Sequence, residues 1–188
     1  MRKKRLLLID GHAMTYRAYH ALPPMTGPSG EPVNAVLGFA NMLIKAIEDY
    51  RPEYVAATFD VGLTFRHQEY AEYKATRAET PDDLRAQFDR VNQLVQALSI
   101  PIYTMEGYEA DDVIGSLARS AEAEGLETII VTGDSDTFQL ATDAVHILTP
   151  GRTSREVALY DPAAVRERYG LEPGQLVDYK ALAGDSSD

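Results

Sequence analysis

The most regular pattern in the chain is a series of short apolar runs, most of which end at acidic residues. Leu6 to Ile9 is wholly apolar and is followed by Asp10, and the run from Tyr54 to Phe59 is followed by Asp60. Runs of this kind predict strands, and a wholly apolar one predicts a strand buried on both faces of a sheet. The predicted strands and extended segments cover residues 6–9, 54–59, 100–105, 128–132 and 145–148.

Between these runs, apolar residues recur at helical spacing. We expect helices from an Asn34 cap to Arg51, from a Thr80 cap with Pro81 in the first turn, and from Ala110 to Gly125. Two further helices are predicted at 161–170 and 175–182. The core stripe of the first helix is expected to be Val36, Leu37, Ala40, Leu43, Ile44 and Ile47. The second is expected to use Leu84, Phe88, Val91, Leu94, Val95 and Leu98. Strand, helix and strand in succession form right-handed crossovers, so we predict one α/β domain with parallel strands.

The acidic residues that follow the predicted strands form the strongest candidate site. The carboxyl ends of parallel strands share one edge of a sheet, and ligands bind there near the point where strand order reverses. Seven carboxylates are expected at this edge: Asp10, Asp60, Glu109, Asp111, Asp112, Asp134 and Asp136. Taken singly, each could be only a turn former or a helix cap. Together they would repel one another unless cations bound, and oxygen ligands alone favour Mg²⁺ or Mn²⁺. Two such ions would form a clamp for phosphoryl displacement.

Composition limits the class of protein. The 188 residues, 45% hydrophobic, suffice for one domain with a core. The formal charge of −11 is unusual for a nucleic-acid binder, so such a role would depend on local patches and bound metal. With no cysteine the chain has no disulfide, thiolate zinc site or cysteine nucleophile. The basic residues 2–5 precede an apolar run too short for a signal peptide or membrane span, so we expect a cytoplasmic protein.

A second candidate feature is a group of basic and aromatic residues between the second strand and Thr80. On a continuous helix they would share one face: Arg66, Tyr70, Tyr73, Lys74 and Arg77. Such a face could track a phosphate backbone and stack on bases. A solvated amphipathic helix is the alternative, and the spacing alone favours it. The position directly after Asp60 favours the nucleic-acid interpretation, because the cations could reach a phosphate held by metal ions.

Near the first aspartate, Arg17 is a candidate phosphate ligand and Tyr16 a candidate for stacking on a base. A tyrosine on a helix face more often packs against neighbours than binds a ligand. His12 is given no role.

Six motifs occur in order along the chain, at residues 6–12, 30–39, 65–67 with 73–77, 108–113, 133–136 with 139–140, and 184–188. In these motifs the sequence resembles the 5′ nuclease domains of bacterial DNA polymerase I, members of the flap endonuclease family. The resemblance covers nearly the whole chain. It implies a central, mainly parallel sheet flanked by helices, with a helical arch over the active site.

The resemblance also implies an activity. Family members bind two divalent ions, Mg²⁺ or Mn²⁺, and cut 5′ flaps and 5′ ends of DNA, including RNA primer ends, in replication and repair. Lys74 and Arg77 match the arch residues that contact and polarise the scissile phosphate, and Arg66 is nearby. The matching metal-binding acids are Asp10, Asp60, Glu109, Asp111, Asp112, Asp134, Asp136, Asp185 and Asp188.

Family members continue past the last aspartate into a helix-hairpin-helix segment and then a polymerase region. Residues 1–188 are therefore expected to be the catalytic domain, truncated before that segment. The alternative function is a non-catalytic nucleic-acid-binding fragment of the same fold. A phosphatase of the haloacid dehalogenase type is disfavoured, because its site needs a second aspartate where this chain has His12.

Overall fold

A six-stranded sheet forms the centre of the molecule in the computed structural model, which describes residues 3–70, 72–75, 79–151 and 157–184. The strand order is β3-β2-β1-β4-β5-β6, and every neighbouring pair is parallel except β5 with β6. The strands are β1 (Arg5–Asp10), β2 (Tyr54–Thr58), β3 (Ile102–Tyr103), β4 (Glu127–Val131), β5 (Val145–Pro150) and β6 (Val157–Tyr160). The expected mainly parallel sheet is thus confirmed. The antiparallel β6 was not predicted, and the extended segment at 100–105 contains only a two-residue strand.

Helices cover both faces of the sheet. They are α1 (Gly11–Ala21), α2 (Asn34–Tyr50), α3 (Phe65–Glu69), α4 (Asp82–Ala97), α5 (Ala110–Ala123), α6 (Pro162–Tyr169) and α7 (Leu176–Ala183). Two short 3-10 helices occupy Ser135–Leu140 and Pro173–Gln175. Helix α1 had no counterpart among the predicted elements. Within the described ranges, no helix is long and apolar enough to cross a membrane.

Alternating side chains of the strands belong to two separate hydrophobic cores, one on each face of the sheet. Leu7 and Ile9 of β1 join a core with Met14 and Phe39, on the face covered by α1, α2 and α4. Leu8, between them in sequence, belongs to the other core, where α5 contributes Ile114. Both faces of β1 are fully buried, as the uninterrupted apolar run predicted.

Two predicted helix caps are wrong. Asn34 is the first residue of α2 and its side chain donates to the carbonyl of Tyr19, while Val33 is the cap. Thr80 lies before Pro81, which is itself the cap of α4, and the Thr80 hydroxyl is hydrogen-bonded to Tyr16. In both cases a tertiary hydrogen bond uses the side chain that could have capped the helix locally.

The predicted helix stripes are correct only in part. In α2, Leu37 and Ile44 are exposed, whereas Ala35 and Phe39 are buried instead. Leu98, expected at the end of the α4 stripe, is also exposed. The buried face of α2 is thus rotated from the predicted stripe, because α1 and α4 pack beside it.

The sheet topology determines where a ligand can bind. From β1 the chain runs outward through β2 to β3, and it then returns to the other side of β1 to form β4 and β5. The connections therefore reverse direction between β1 and β4. In open parallel sheets, the carboxyl ends of two such strands border the usual binding crevice. Asp10 ends β1, and Asp134 follows β4.

Candidate active site

Five of the predicted acids gather at this reversal point. They are Asp10 at the end of β1, Asp60 just after β2, Asp134 just after β4, and Glu109 and Asp111 at the start of α5. The charges of the other four all act on Asp111. Three strand ends and the start of α5 bring them together. The expectation that distant segments deliver carboxylates to one edge of the sheet is therefore met for these five.

Asp10 is the most buried of the five, with 4% of its surface exposed. One carboxylate oxygen accepts a hydrogen bond from the backbone N–H of Ala13 at 2.9 Å, so Asp10 also caps α1. The other accepts from the Thr132 hydroxyl at 2.7 Å. Burial raises the pKa of Asp10 to about 6, although these hydrogen bonds act in the opposite direction.

Thr132 connects the two strand ends that border the reversal point. Its Oγ1 donates to Asp10 and accepts from the backbone N–H of Asp134 at 3.0 Å. Asp134 in turn accepts a hydrogen bond from the N–H of Asp136 at 2.8 Å, which begins the 3-10 helix. Thr132 was not among the predicted site residues. A polar residue directly after the apolar residues 129–131 was the one indication in the sequence that it faces the site.

The effect of burial and of repulsion between the carboxylates is largest at Asp111. Burial raises its pKa to about 8, and the negative charges of Asp10, Asp134, Asp60 and Glu109 add to the effect. A carboxyl held this far above its ordinary value by its neighbours favours a bound cation, which would offset both causes. The donors are oxygens only, so the chemistry of this cluster fits a hard divalent ion.

Asp60 links the cluster to two flanking elements. Its Oδ1 accepts from the N–H of Ala110 at 2.6 Å, at the start of α5, and its own N–H donates to His12 Nδ1 at 3.1 Å. The end of β2 approaches α1 closely, because a Cβ on Gly11 would meet the ring of Phe59 at 2.2 Å. Only glycine permits this approach, which brings Asp60 toward Asp10.

Glu109 is where the basic segment meets the acidic cluster. Lys74 Nζ lies 2.7 Å from one carboxylate oxygen of Glu109, and the Tyr73 hydroxyl donates to the other at 3.0 Å. Arg66 Nη1 lies 3.7 Å from Glu109 Oε2. The guanidinium also forms a bidentate ion pair with the two carboxylate oxygens of Asp112, at 2.7 and 2.8 Å. Arg66, Tyr73 and Lys74 therefore bring the basic segment into contact with the acidic cluster. Their predicted contact with a phosphate held by metal ions stays a prediction.

Asp112 and Asp136 lie beside the five acids, each already paired with a cation. The Arg66 guanidinium lowers the pKa of Asp112, and Asp112 also accepts a hydrogen bond from the N–H of Glu109 as part of the α5 cap. Asp136 forms an ion pair with Lys180 of α7, which also donates to the Ser135 hydroxyl. No sequence argument had identified Lys180.

Comparison with known proteins places the chain in a family. Residues 5–170 match the family model described as 5′-3′ exonuclease, N-terminal resolvase-like domain. The chain belongs to this family. A DNA polymerase I from Chloroflexus aurantiacus is 57% identical over 97% of the chain, which spans 20% of that relative. The chain likewise spans about a fifth of the length of the other curated relatives it matches.

Solved structures agree on the fold of this 5′-3′ exonuclease family member. The bacteriophage T5 D15 protein co-crystallised with metal ions matches with a TM-score of 0.75 at 21% identity, over 98% of this chain and 68% of that one. A T5 D15 flap endonuclease complex with DNA and metal ions gives 0.74 at 21% identity, over the same fractions of both chains. The resemblance seen in the six motifs is confirmed, and with it the fold and the nuclease class.

The basic segment is not one continuous helix, which is the arrangement in which its five basic and aromatic residues would share a face. Helix α3 ends at Glu69, and residues 72–75 form a turn in which Lys74 has a left-handed φ of 57°. Tyr70 is exposed, and its hydroxyl donates to Glu72, away from the acids. A break between Arg66 and Lys74 lets both cations reach acids at the start of α5. Arg77 lies outside the described residues, as do Asp185 and Asp188.

Tyr16 and Arg17 have protein partners in this structure. The Tyr16 ring packs against Phe88 at 5.6 Å between centroids, and its hydroxyl bonds to Thr80. Arg17 donates to the carbonyls of Pro150 and Gly151 at the end of β5. Their predicted contacts with nucleic acid stay predictions, and the observed contacts give each a packing role.

Among the described residues, no three acidic or histidine side chains already converge as ligands of one ion. Asp10, Asp60 and Glu109 are each turned toward a hydrogen-bond donor instead. Their assignment as metal ligands therefore stays a prediction that requires side-chain rotation. From this cluster an open groove runs between α5 and the 3-10 helix, past Ser116, Arg119 and Gln139.

Proposed function

We propose that this chain hydrolyses phosphodiester bonds at 5′ ends and 5′ flaps of DNA, and at the ends of RNA primers, with two divalent ions, Mg²⁺ or Mn²⁺. The observation that carries the proposal is the cluster of five carboxylates at the point where strand order reverses, with the pKa of Asp111 raised to about 8. Family membership supports the reaction class. The T5 D15 structures with metal ions, and with DNA, support the choice of ligand and substrate.

Metal ligation is assigned first to the five clustered acids. Asp10 and Asp134 flank the reversal point, and Asp60, Glu109 and Asp111 lie beside them. When bound, divalent ions would supply an activated water and stabilise the leaving oxygen. Asp112, Asp136, Asp185 and Asp188 complete the proposed set. Asp112 and Asp136 are already ion-paired, so we expect each to contribute less than Asp111.

The basic residues would act on the phosphate. Lys74 lies at Glu109, so its ammonium is within the cleft where a scissile phosphate would be held. A cation aimed at the developing negative charge stabilises the transition state. Arg77 is proposed as its partner. Arg66 is held near Lys74 by its ion pair with Asp112. We assign Arg66, Tyr70, Tyr16 and Arg17 to binding of the nucleic-acid strand.

Cations near the acidic cluster offset part of the chain's negative charge at the place where nucleic acid would bind. A net charge of −11 would repel a phosphate backbone at long range. Arg66 and Lys74 place positive charge directly at the acidic cluster, where metal would add more. Binding is therefore expected to depend strongly on divalent ions.

We also propose that this domain is part of a longer protein. The curated relatives are about five times as long as this chain. We assign residues 1–188 to the catalytic domain, and we expect a helix-hairpin-helix segment and a polymerase region to accompany it in a longer cytoplasmic protein. Such a segment would grip the duplex beyond the junction.

Hydrolysis of a labelled 5′ flap in the presence of Mg²⁺ tests the proposal. The chain is compared with Asp134→Ala and Lys74→Ala, and Lys45→Ala serves as a control because Lys45 is partly exposed and ion-paired with Asp49 of the same helix, α2. Metal-dependent cutting that both site variants lose supports the nuclease. Binding without cutting, also in a chain extended past Asp188, would establish the non-catalytic binding fragment instead.

A further inference from the structure

His12 occupies the second position of α1, between the acidic cluster and the hydrophobic core. Its ring lies 4.6 Å from the Phe88 ring and 5.8 Å from the Phe59 ring, measured between centroids. These contacts and the hydrogen bond from the N–H of Asp60 to Nδ1 fix the orientation of the imidazole. The proposed function gives this histidine no role.

The hydrogen bond from Asp60 determines which nitrogen carries the proton. A backbone N–H can only donate, so Nδ1 must present its lone pair. The Asp60 carboxylate lies 3.7 Å from Nδ1, too far to accept a proton from it instead. In a neutral imidazole the hydrogen is then on Nε2.

The Nε2–H group has no protein acceptor among the described residues, and it is not closed off from solvent. About 30% of the His12 side chain is exposed. Its nearest charged groups are Asp60 and Lys74. Arg66 and Lys74 are ion-paired with carboxylates. The Nε2–H of His12, in contrast, is fixed in orientation and accessible to a ligand.

We propose that His12 is a substrate-binding residue that donates its Nε2–H to a non-bridging phosphate oxygen of the nucleic-acid strand at the carboxylate cluster. This inference rests on the proposed function, because it assumes a phosphodiester in that cleft. Phosphate oxygens are acceptors present at every nucleotide. A neutral donor can approach them without adding charge to the site. The competing role is purely positional, in which His12 only orients Asp60 through Nδ1.

Two amide substitutions separate these roles. In His12→Asn the side-chain oxygen can replace Nδ1 and accept from Asp60, but the distal donor is lost. In His12→Gln the amide nitrogen reaches the region of Nε2, while the acceptor for Asp60 is lost. Affinity for a fluorescent 5′ flap is measured by anisotropy with Ca²⁺ in place of Mg²⁺. His20→Asn, at an exposed position of the same helix, is the control.

We expect His12→Asn to weaken binding roughly tenfold, while His12→Gln and His20→Asn stay within about twofold of the wild type. A methylphosphonate placed at the contacted phosphate should abolish the difference between the wild type and His12→Asn. Equal affinity of these two proteins, or weaker binding by His12→Gln than by His12→Asn, would overturn the proposal. Melting temperatures identify any variant that fails to fold.

The proton position is tested without DNA. Long-range nitrogen–proton NMR correlations of the histidine rings in the metal-free chain should show His12 with its proton on Nε2. A proton on Nδ1 would overturn the inference directly. A chain that binds the flap as expected but never hydrolyses it with Mg²⁺ would contradict the proposed nuclease function and leave the His12 contact standing, so the two failures are distinguishable.

Discussion

Lys74 Nζ lies 2.7 Å from Glu109 Oε1, which places the basic segment in direct contact with the acidic cluster. The contact crosses 35 positions of sequence and joins a turn of the segment to the N-terminal cap of α5. A cation so placed compensates the clustered negative charge in the metal-free protein. It is also positioned to turn to a phosphate when ions occupy the carboxylates.

Replacing Lys74 should therefore impair the chemical step. With Lys74→Ala we expect the single-turnover rate of flap cleavage at saturating Mg²⁺ to fall by about 100-fold, as when one transition-state donor is removed. Flap affinity should change much less. Lys45→Ala should cleave like the wild type. A Lys74→Ala rate within a factor of about two of the wild type would show that this ammonium does not act on the phosphate.

The raised pKa of Asp111 predicts an unusual pH dependence of stability. Between its ordinary value of 3.8 and about 8, the folded chain holds a proton on Asp111 that the unfolded chain has lost. Stability therefore falls as pH rises through this window, and Asp10 adds to the fall up to about pH 6. In EDTA, Asp111→Asn should flatten the decline and exceed the wild type in unfolding free energy by at least about 1 kcal/mol near pH 8.

Denaturant titrations in EDTA across this pH range provide the measurement. Added Mg²⁺ should stabilise the wild type more at about pH 8 than at about pH 5.5, because ligands must be deprotonated to bind a metal. Asp111→Asn should lose most of this gain. A wild-type stability that rises from about pH 5 to about pH 8 in EDTA would be inconsistent with the clustered, desolvated acids.

Thr132 should be needed to hold Asp10 and Asp134 in place. Thr132→Val keeps the shape but leaves the buried Asp10 oxygen and the Asp134 N–H without their shared partner, which should cost about 1–3 kcal/mol of stability. Mn²⁺ affinity, measured by calorimetry, should also fall. Thr132→Ser restores the hydroxyl and should recover most of the affinity. If valine and serine behave alike, the hydroxyl has no positioning role.

The main site could be predicted because its acids follow directly from strand positions. Asp10 and Asp134 follow apolar runs. The carboxyl ends of parallel strands lie at one edge of the sheet, whichever loops connect them. Thr132 and His12 could not be identified in this way. Their roles depend on which side chain faces them across the strand ends. The polar character of Thr132 after an apolar run is a local signal, but it does not identify Asp10 as the partner.

Local patterns failed where tertiary contacts compete with them. Asn34 and Thr80 have the chemistry of helix caps, yet each is engaged by a residue of α1. The five basic and aromatic residues were placed on one helix by spacing alone, whereas the structure breaks between Glu69 and Lys74. The attraction of Arg66 and Lys74 to acids of α5 is a long-range contact that helical periodicity does not record.

The central claim is that Asp10, Asp111 and Asp134 surround hard divalent ions. Anomalous diffraction from crystals soaked in Mn²⁺ tests it most directly. We predict strong peaks within coordination distance of these three carboxylates, and their loss in crystals of Asp111→Asn. Peaks confined to other surfaces, or no peak at Mn²⁺ concentrations that saturate binding in solution, would contradict the account.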